Sequence, residues 1–151
     1  MLYTERISVR KKEYVAGFMF HYLDLFIVAL IEKQKPAWQK GKLNGIGGKI
    51  EINETPVDAM VREFKEEAGV DTAASQWTHY ATLESGDSIV YFFAGKGDLE
   101  SVYSAEVEEV KLIRVENLSF LPVIPNLTWL VPMAQLAVKN DHNYVYIKEG
   151  N

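Results

Sequence analysis

Three glutamates, Glu63, Glu66 and Glu67, crowd the run VREFKEEAG near the middle of the chain. Helical spacings of three and four bring side chains onto one face, and on a wheel of 100° per residue these carboxylates share a wedge of about 100°. Each like-charge pair, Glu63/Glu66 and Glu63/Glu67, destabilises the helix by about 0.2–0.5 kcal/mol, so a compensating partner is needed. Arg62 lies close enough on the wheel to neutralise Glu66 in part, whereas Lys65 points away. A hard divalent cation compensates better, because Mg2+ accepts carboxylate oxygens in an octahedral shell and keeps waters or phosphate oxygens at its remaining positions. A solvated acidic helix face is the alternative that the helix alone leaves open.

The elements that must hold these acids are legible around them. Val57, Met60, Val61, Phe64 and Ala68 fall on one apolar stripe beside the acidic wedge, which predicts a helix docked on a sheet. Thr55 can cap it, Pro56 suits its first position, Asp58 stands where a capping-box acid belongs and Gly69 can end it, which places the helix over about residues 55–69. Upstream, Lys33 to Lys49 holds five lysines, four glycines and one proline without an acid and reads as one long loop. Phe18 to Leu23 and Leu25 to Ile31 read as strands around Tyr22 to Asp24, either a hairpin or one bent strand. Downstream, Gln76–Leu83, Ser88–Ala94, Glu109–Val115 and Tyr144–Ile147 read as strands, and a second helix starts at Asn126 or Leu127 and runs to Val138. Strands and helices intermix without regular alternation, which predicts an α/β (α+β) fold with a mixed sheet and helices on both faces.

The chain has 151 residues, 48% hydrophobic and 25% charged, which predicts a single globular domain spanning residues 1–151. Its net charge of −5 disfavours a nucleic-acid polymer or an anionic membrane as partner. No cysteine is present, so disulfides, thiolate ligands and a cysteine nucleophile are excluded. That composition suits a cytoplasmic location, and the N-terminal residues read as no secretory signal. The 22 uncharged residues from Asn117 to Val138 are long enough to cross a bilayer, but Pro122, Pro125 and Pro132 make them a buried loop and helix instead. His21, His79 and His142 are dispersed and read as packing or surface residues.

Gly48, Glu54, Arg62, Glu63, Glu66, Glu67 and Gly69 stand at the spacing G-x5-E-x7-R-E-U-x-E-E-x-G-U, with Phe64 and Val70 at the apolar U positions. This resembles the Nudix box. Phe64 departs softly, an aromatic where the family prefers an aliphatic residue, and touches packing rather than chemistry. The resemblance implies an α/β/α sandwich and hydrolysis of a nucleoside diphosphate linked to another group, with Mg2+, or Mn2+, as cofactor. It implies that Glu63, Glu66 and Glu67 bind metal together with the carbonyl of Gly47, and that Arg62 orients those acids. Glu54 would bond the loop to the helix start. Many family members carry a further acid outside the box; Glu106, Glu108 and Glu109 lie where it would come from, and Glu109 is the choice because it directly precedes the strand VKLIRV.

The segment LNGIGGK is similar to that of MutT-type and mammalian 8-oxo-dGTP-hydrolysing enzymes, which implies that Asn44 touches a purine and that Lys49 meets the phosphates. The run FLPVIPNLTWLVPM resembles the mammalian segment of base-contacting residues between two prolines, here Pro125 and Pro132. It has Asn126 and Leu127 where that segment has two acids, so the carboxylates that would read an oxidised guanine are missing. Asn126 is either a base contact or a helix cap, and Trp129 either a stacking platform or core. The expected activity is a nucleoside triphosphate pyrophosphohydrolase, a monomer or homodimer acting on a small nucleotide. ADP-ribose, sugar nucleotides or dinucleoside polyphosphates are alternative substrates, and a nucleotide-sensing module is a non-catalytic alternative.

Overall fold

The structure, a computed structural model, describes residues 11–141 and 144–150. Aromatic and β-branched residues favour the extended backbone of β1 (Lys12–His21) and β2 (Asp24–Glu32). The two strands form a hairpin about Tyr22 and Leu23, with Met19 opposite Ala29. Successive side chains leave a strand on opposite faces, so Phe18, Phe20, Val28 and Leu30 enter one core while Met19, Ala29 and Ile31 enter the other.

Six further strands complete one mixed sheet: β3 (Leu43–Asn44), β4 (Ile46–Lys49), β5 (Trp77–Ser85), β6 (Ser88–Gly97), β7 (Glu109–Arg114) and β8 (Val145–Glu149). The order is β3-β2-β1-β6-β5-β8, with β4 also paired to β1 and β7 to β2. The pairs β1–β6 and β5–β8 are parallel and the others antiparallel. Helix α1 (Pro56–Ala68) covers one face through Met60, Phe64 and Ala68. Helix α2 (Leu127–Val138) covers the other through Leu127, Leu130, Val131 and Ala134, giving the expected α/β/α sandwich.

The caps of α1 are those its sequence calls for. Thr55 Oγ1 accepts a hydrogen bond from the Asp58 amide at 3.2 Å, Pro56 opens the helix and Gly69 closes it in the left-handed region at φ 77°. Helix α2 is held from outside instead: Tyr80 Oη donates to the Leu130 carbonyl at 2.8 Å, and Gln135 Nε2 to the Leu25 carbonyl at 2.8 Å. Tyr80 gains that reach where the β5–β6 register slips between His79 and Ala81. Asn126 stands at the N-cap position of α2, with its carbonyl accepting from the Leu130 amide at 3.0 Å, but its side chain makes no capping bond.

The expected long loop is only half a loop. A short 3-10 turn at Ala37–Gln39 breaks it, and its last third pairs with the sheet as β3 and β4. Glycines that weaken a strand in isolation are what this pairing requires, since a Cβ on Gly47 would lie 1.9 Å from the Val15 carbonyl oxygen. Among the described residues no helix is long and apolar enough to cross a membrane.

His21 and His79 have structural partners, and His142 lies outside the described residues. The Leu99 amide donates to His21 Nδ1 at 3.2 Å, and His79 Nε2 pairs with Thr82 Oγ1 at 2.7 Å. His79 is packed among Tyr91, Phe93 and Tyr144, and its burial holds it below the ordinary value of 6.5.

Two stability predictions follow from this packing. Phe64, fully buried against the Trp77 ring at a centroid distance of 5.3 Å, loses about 3–5 kcal/mol on truncation to alanine, read as a fall in unfolding free energy by urea titration. Because burial lowers the His79 pKa in the fold, the unfolded chain takes up its proton more readily, and stability drops as pH falls below about 6.5. Thermal melts between pH 7 and pH 5 should show a shallower slope for His79→Gln than for the parent.

Candidate active site

The first turns of α1 and the strand β4 meet at Gly48, whose added Cβ would strike the Glu63 carboxylate carbon at 2.6 Å. A glycine there leaves the carboxylate room against bare backbone. Arg62 then organises the acids around that point. Its Nε and one terminal nitrogen grip the two oxygens of Glu54 at 2.7 and 2.9 Å, and the second nitrogen also donates to the Lys49 carbonyl at 3.0 Å. Its other terminal nitrogen donates to Glu63 at 2.8 Å and Glu66 at 3.2 Å. A planar guanidinium serves this fork geometry in a way an ammonium does not. The hydrogen bond from Arg62 holds Glu54 below the ordinary carboxylate range despite some burial, and these acids raise Arg62 in turn. Glu54 also accepts the Glu51 amide at 2.9 Å, which joins the loop to the helix as its position implied.

Glu67 is outside the reach of this fork. It is 7% exposed, and burial first, then the hydrogen bond and charge of Glu63, push its carboxyl up to about 9. Lys33 acts in the opposite direction and Glu108 in the same one. Two acids thus face each other at the edge of a core, the arrangement in which one carboxyl keeps its proton.

Glu108 reaches this locality because the chain before β7 is tied to the end of α1. The Tyr103 amide donates to the Ala68 carbonyl at 3.1 Å and the Ala105 amide to the Glu67 carbonyl at 3.0 Å. Glu108 accepts from Lys33 Nζ at 3.0 Å and from the Gln34 amide at 2.6 Å. Burial raises its carboxyl, but these donors outweigh that and hold it below its ordinary value. Glu109, the residue expected to join the site, pairs across the strands with Glu32 and is exposed beside Lys111. Strand alternation explains the difference: with Val110 packed toward α1, Glu108 shares its face and Glu109 takes the other. Glu106 is exposed in the preceding turn.

Lys49 ends β4 with its side chain exposed at a cleft of about 660 Å3 that Glu51, Arg62, Glu63 and Glu66 also line. Asn44 spends its amide internally, donating to Gln39 at 3.1 Å and accepting from the Gly45 amide at 2.8 Å. Asn126 sits apart, on the α2 face of the sheet, in a cavity of about 360 Å3. That cavity also draws Ile147 and Glu149 from β8, residues nothing in the local sequence pointed to, because a parallel strand pair brings them beside β5.

Among the described residues no three acids or histidines converge at ligand spacing. The donor set still suits a hard cation: Glu63, Glu66 and Glu67 offer only oxygens, and the buried Glu67 carboxyl has no cationic hydrogen-bond partner of its own.

A NUDIX domain profile matches residues 26–132, which include every glutamate of this cluster. The chain belongs to the Nudix family. It is a hydrolase acting on phosphoanhydride bonds of nucleoside diphosphate derivatives, and Nudix enzymes typically depend on divalent metal. Its fold is similar to a NUDIX hydrolase from Nitrosomonas europaea at TM-score 0.72 and 18% identity, covering 93% of this chain and 80% of that one. A MutT protein from Bacillus halodurans matches at TM-score 0.68 and 15% identity, covering 91% and 89%. An ADP-ribose pyrophosphatase from Streptococcus suis matches at 0.69 and 17%, covering 91% and 98%.

Arg62 holds four groups of this Nudix site together, so Arg62→Ala should lower the unfolding free energy by about 2 kcal/mol in urea titration. Arg62→Lys should recover less than half of that, since one ammonium cannot grip Glu54 and Glu63 at once.

Proposed function

We propose that this Nudix protein is a Mg2+-dependent nucleoside triphosphate pyrophosphohydrolase, with Mn2+ as an alternative cofactor, that cleaves a purine or oxidised-purine (d)NTP. The α–β phosphoanhydride breaks, water adds across it, and a nucleoside monophosphate and pyrophosphate leave. The observation that carries the reading is the run of Glu63, Glu66 and buried Glu67 along one helix, with the Glu63 carboxylate set against the bare backbone of Gly48 and Lys49 exposed at the rim.

In this reading Glu63, Glu66, Glu67 and the Gly47 carbonyl hold the cation. Glu108 takes the role expected of Glu109, because its charge acts on Glu67 while Glu109 lies on the opposite face of β7. A bound cation neutralises charge on the phosphates and lowers the pKa of a water. The chain's own residues do the rest. Arg62 keeps the Glu63 and Glu66 carboxylates aimed, Lys49 pairs with a phosphate oxygen, and a carboxylate of the cluster receives the proton of the attacking water. Asn44 and Asn126 are the candidates for the base. The lysines of the preceding loop, Lys35, Lys40 and Lys42, add positive charge to that segment of the chain.

The test is a product profile. Full-length protein with Mg2+ is expected to turn normal and oxidised (d)NTPs into monophosphate and pyrophosphate; turnover only of ADP-ribose, sugar nucleotides or dinucleoside polyphosphates would move the assignment to those substrates. Tight binding with no hydrolysis of any of them would make it a sensing module. Glu67→Gln should lose activity by about 100-fold or more while its melting temperature stays within a few degrees of the parent.

A further inference from the structure

The cavity on the α2 face lies outside the acid cluster and is built like a site. Leu83, Ile124 and Ile147 supply apolar walls, the half-buried indole of Trp129 a flat surface, and Asn126 and Glu149 two polar groups. Its volume of about 360 Å3 falls within the range of small-ligand pockets. Rigid backbone connects it to the phosphate end. The Leu43 amide donates to the Pro122 carbonyl at 2.8 Å, the Ile124 amide donates back to the Leu43 carbonyl at 3.0 Å, and β3 leads directly into β4 with Gly47 and Gly48.

The two polar groups are free to meet a ligand. The Asn126 amide makes no capping bond, and among the described residues Glu149 forms no ion pair, whereas the amide of Asn44 is engaged on both sides. A carboxylate offers acceptors only, and its two oxygens take two parallel N–H donors. Among the common nucleobases, the neutral edge with two adjacent donors is that of guanine, N1–H beside the N2 amino group. Adenine and cytosine set a lone pair beside their amino group, and uracil flanks its single N–H with carbonyls, so each turns an acceptor toward a carboxylate. The Asn126 amide nitrogen can donate to guanine O6, and stacking on Trp129 is available to any base.

We propose that Glu149, on strand β8, is a specificity-determining residue that selects a guanine base in this cavity. The proposal names the base for the triphosphate reading above and rests on it for the phosphate end alone. The binding test needs no hydrolysis. By calorimetry on the full chain without divalent cation, the protein should bind GMP at least tenfold more tightly than AMP or UMP. In E149Q the GMP-to-AMP affinity ratio should fall at least tenfold, because a glutamine amide presents an acceptor beside a donor and so matches adenine. Asn126→Ala should weaken GMP at least threefold. Absence of a GMP preference in the parent, or an unmoved ratio in E149Q, overturns the proposal.

Hydrolysis separates the two readings. A GMP ratio that shifts in E149Q while no triphosphate is turned over retires the triphosphate reading and upholds the base assignment. Turnover of triphosphates with a GTP-to-ATP ratio of kcat/KM that E149Q leaves in place retires the base assignment alone.

Discussion

The burden on which the rest of the structure depends is a carboxyl taken out of water beside another carboxyl. Glu67 faces the core next to Glu63, and no arginine reaches it. Isolated, such a pair opposes folding, since burial and like charge both penalise ionisation. The surrounding chain answers it in layers. Arg62 ties Glu63 and Glu66 to Glu54 and to the Lys49 backbone, the glycine at 48 yields the space, and the Phe64–Trp77 core beneath α1 holds the helix in place. Stability from the apolar face thus offsets an arrangement that, in the proposed function, would hold a cation and phosphates.

The net charge of −5 acquires a location in this light. Residues 51–67 carry six acids and two bases, residues 98–109 five acids and no base, and the rest of the chain ten acids and fourteen bases. Backbone bonds from Tyr103 and Ala105 to the end of α1 fold the second acidic segment onto the first, and Lys33 stands between them. The negative charge that repels phosphates is therefore concentrated in one locality, where a bound cation would reverse the sign that a phosphate meets.

The acid-lined cleft and the second cavity lie on opposite faces of the sheet. The acids belong to the α1 face and the cavity of Asn126, Trp129 and Glu149 to the α2 face, with β3 and β4 as the short bridge. Under the proposed function, that division would let the diphosphate chemistry stay constant while residues of α2 and of a sheet edge choose the flanking group.

Local order was legible in the sequence because it depends on neighbours a few residues apart. Thr55, Pro56 and Gly69 bound α1 as their types demand, and the i, i+3, i+4 spacing of Glu63, Glu66 and Glu67 placed them on one wedge. Residue type and periodicity likewise marked β2, α2 and the second half of β1, whereas Lys12–Gly17 of β1 went unread. What pairing decides was hidden. Glycine-rich β4 looked like loop because its partner strand lies some thirty residues upstream, and the choice between Glu108 and Glu109 depends on which face of β7 packs toward α1. Glu149 reaches its cavity through a parallel pairing of β8 with β5, across more than sixty residues of chain. By itself the sequence determined the acid-bearing helix and the family to which it belongs. Only the tertiary structure decided which distant side chains share its field, because a strand's face is set by the register of its partner and not by its own residues.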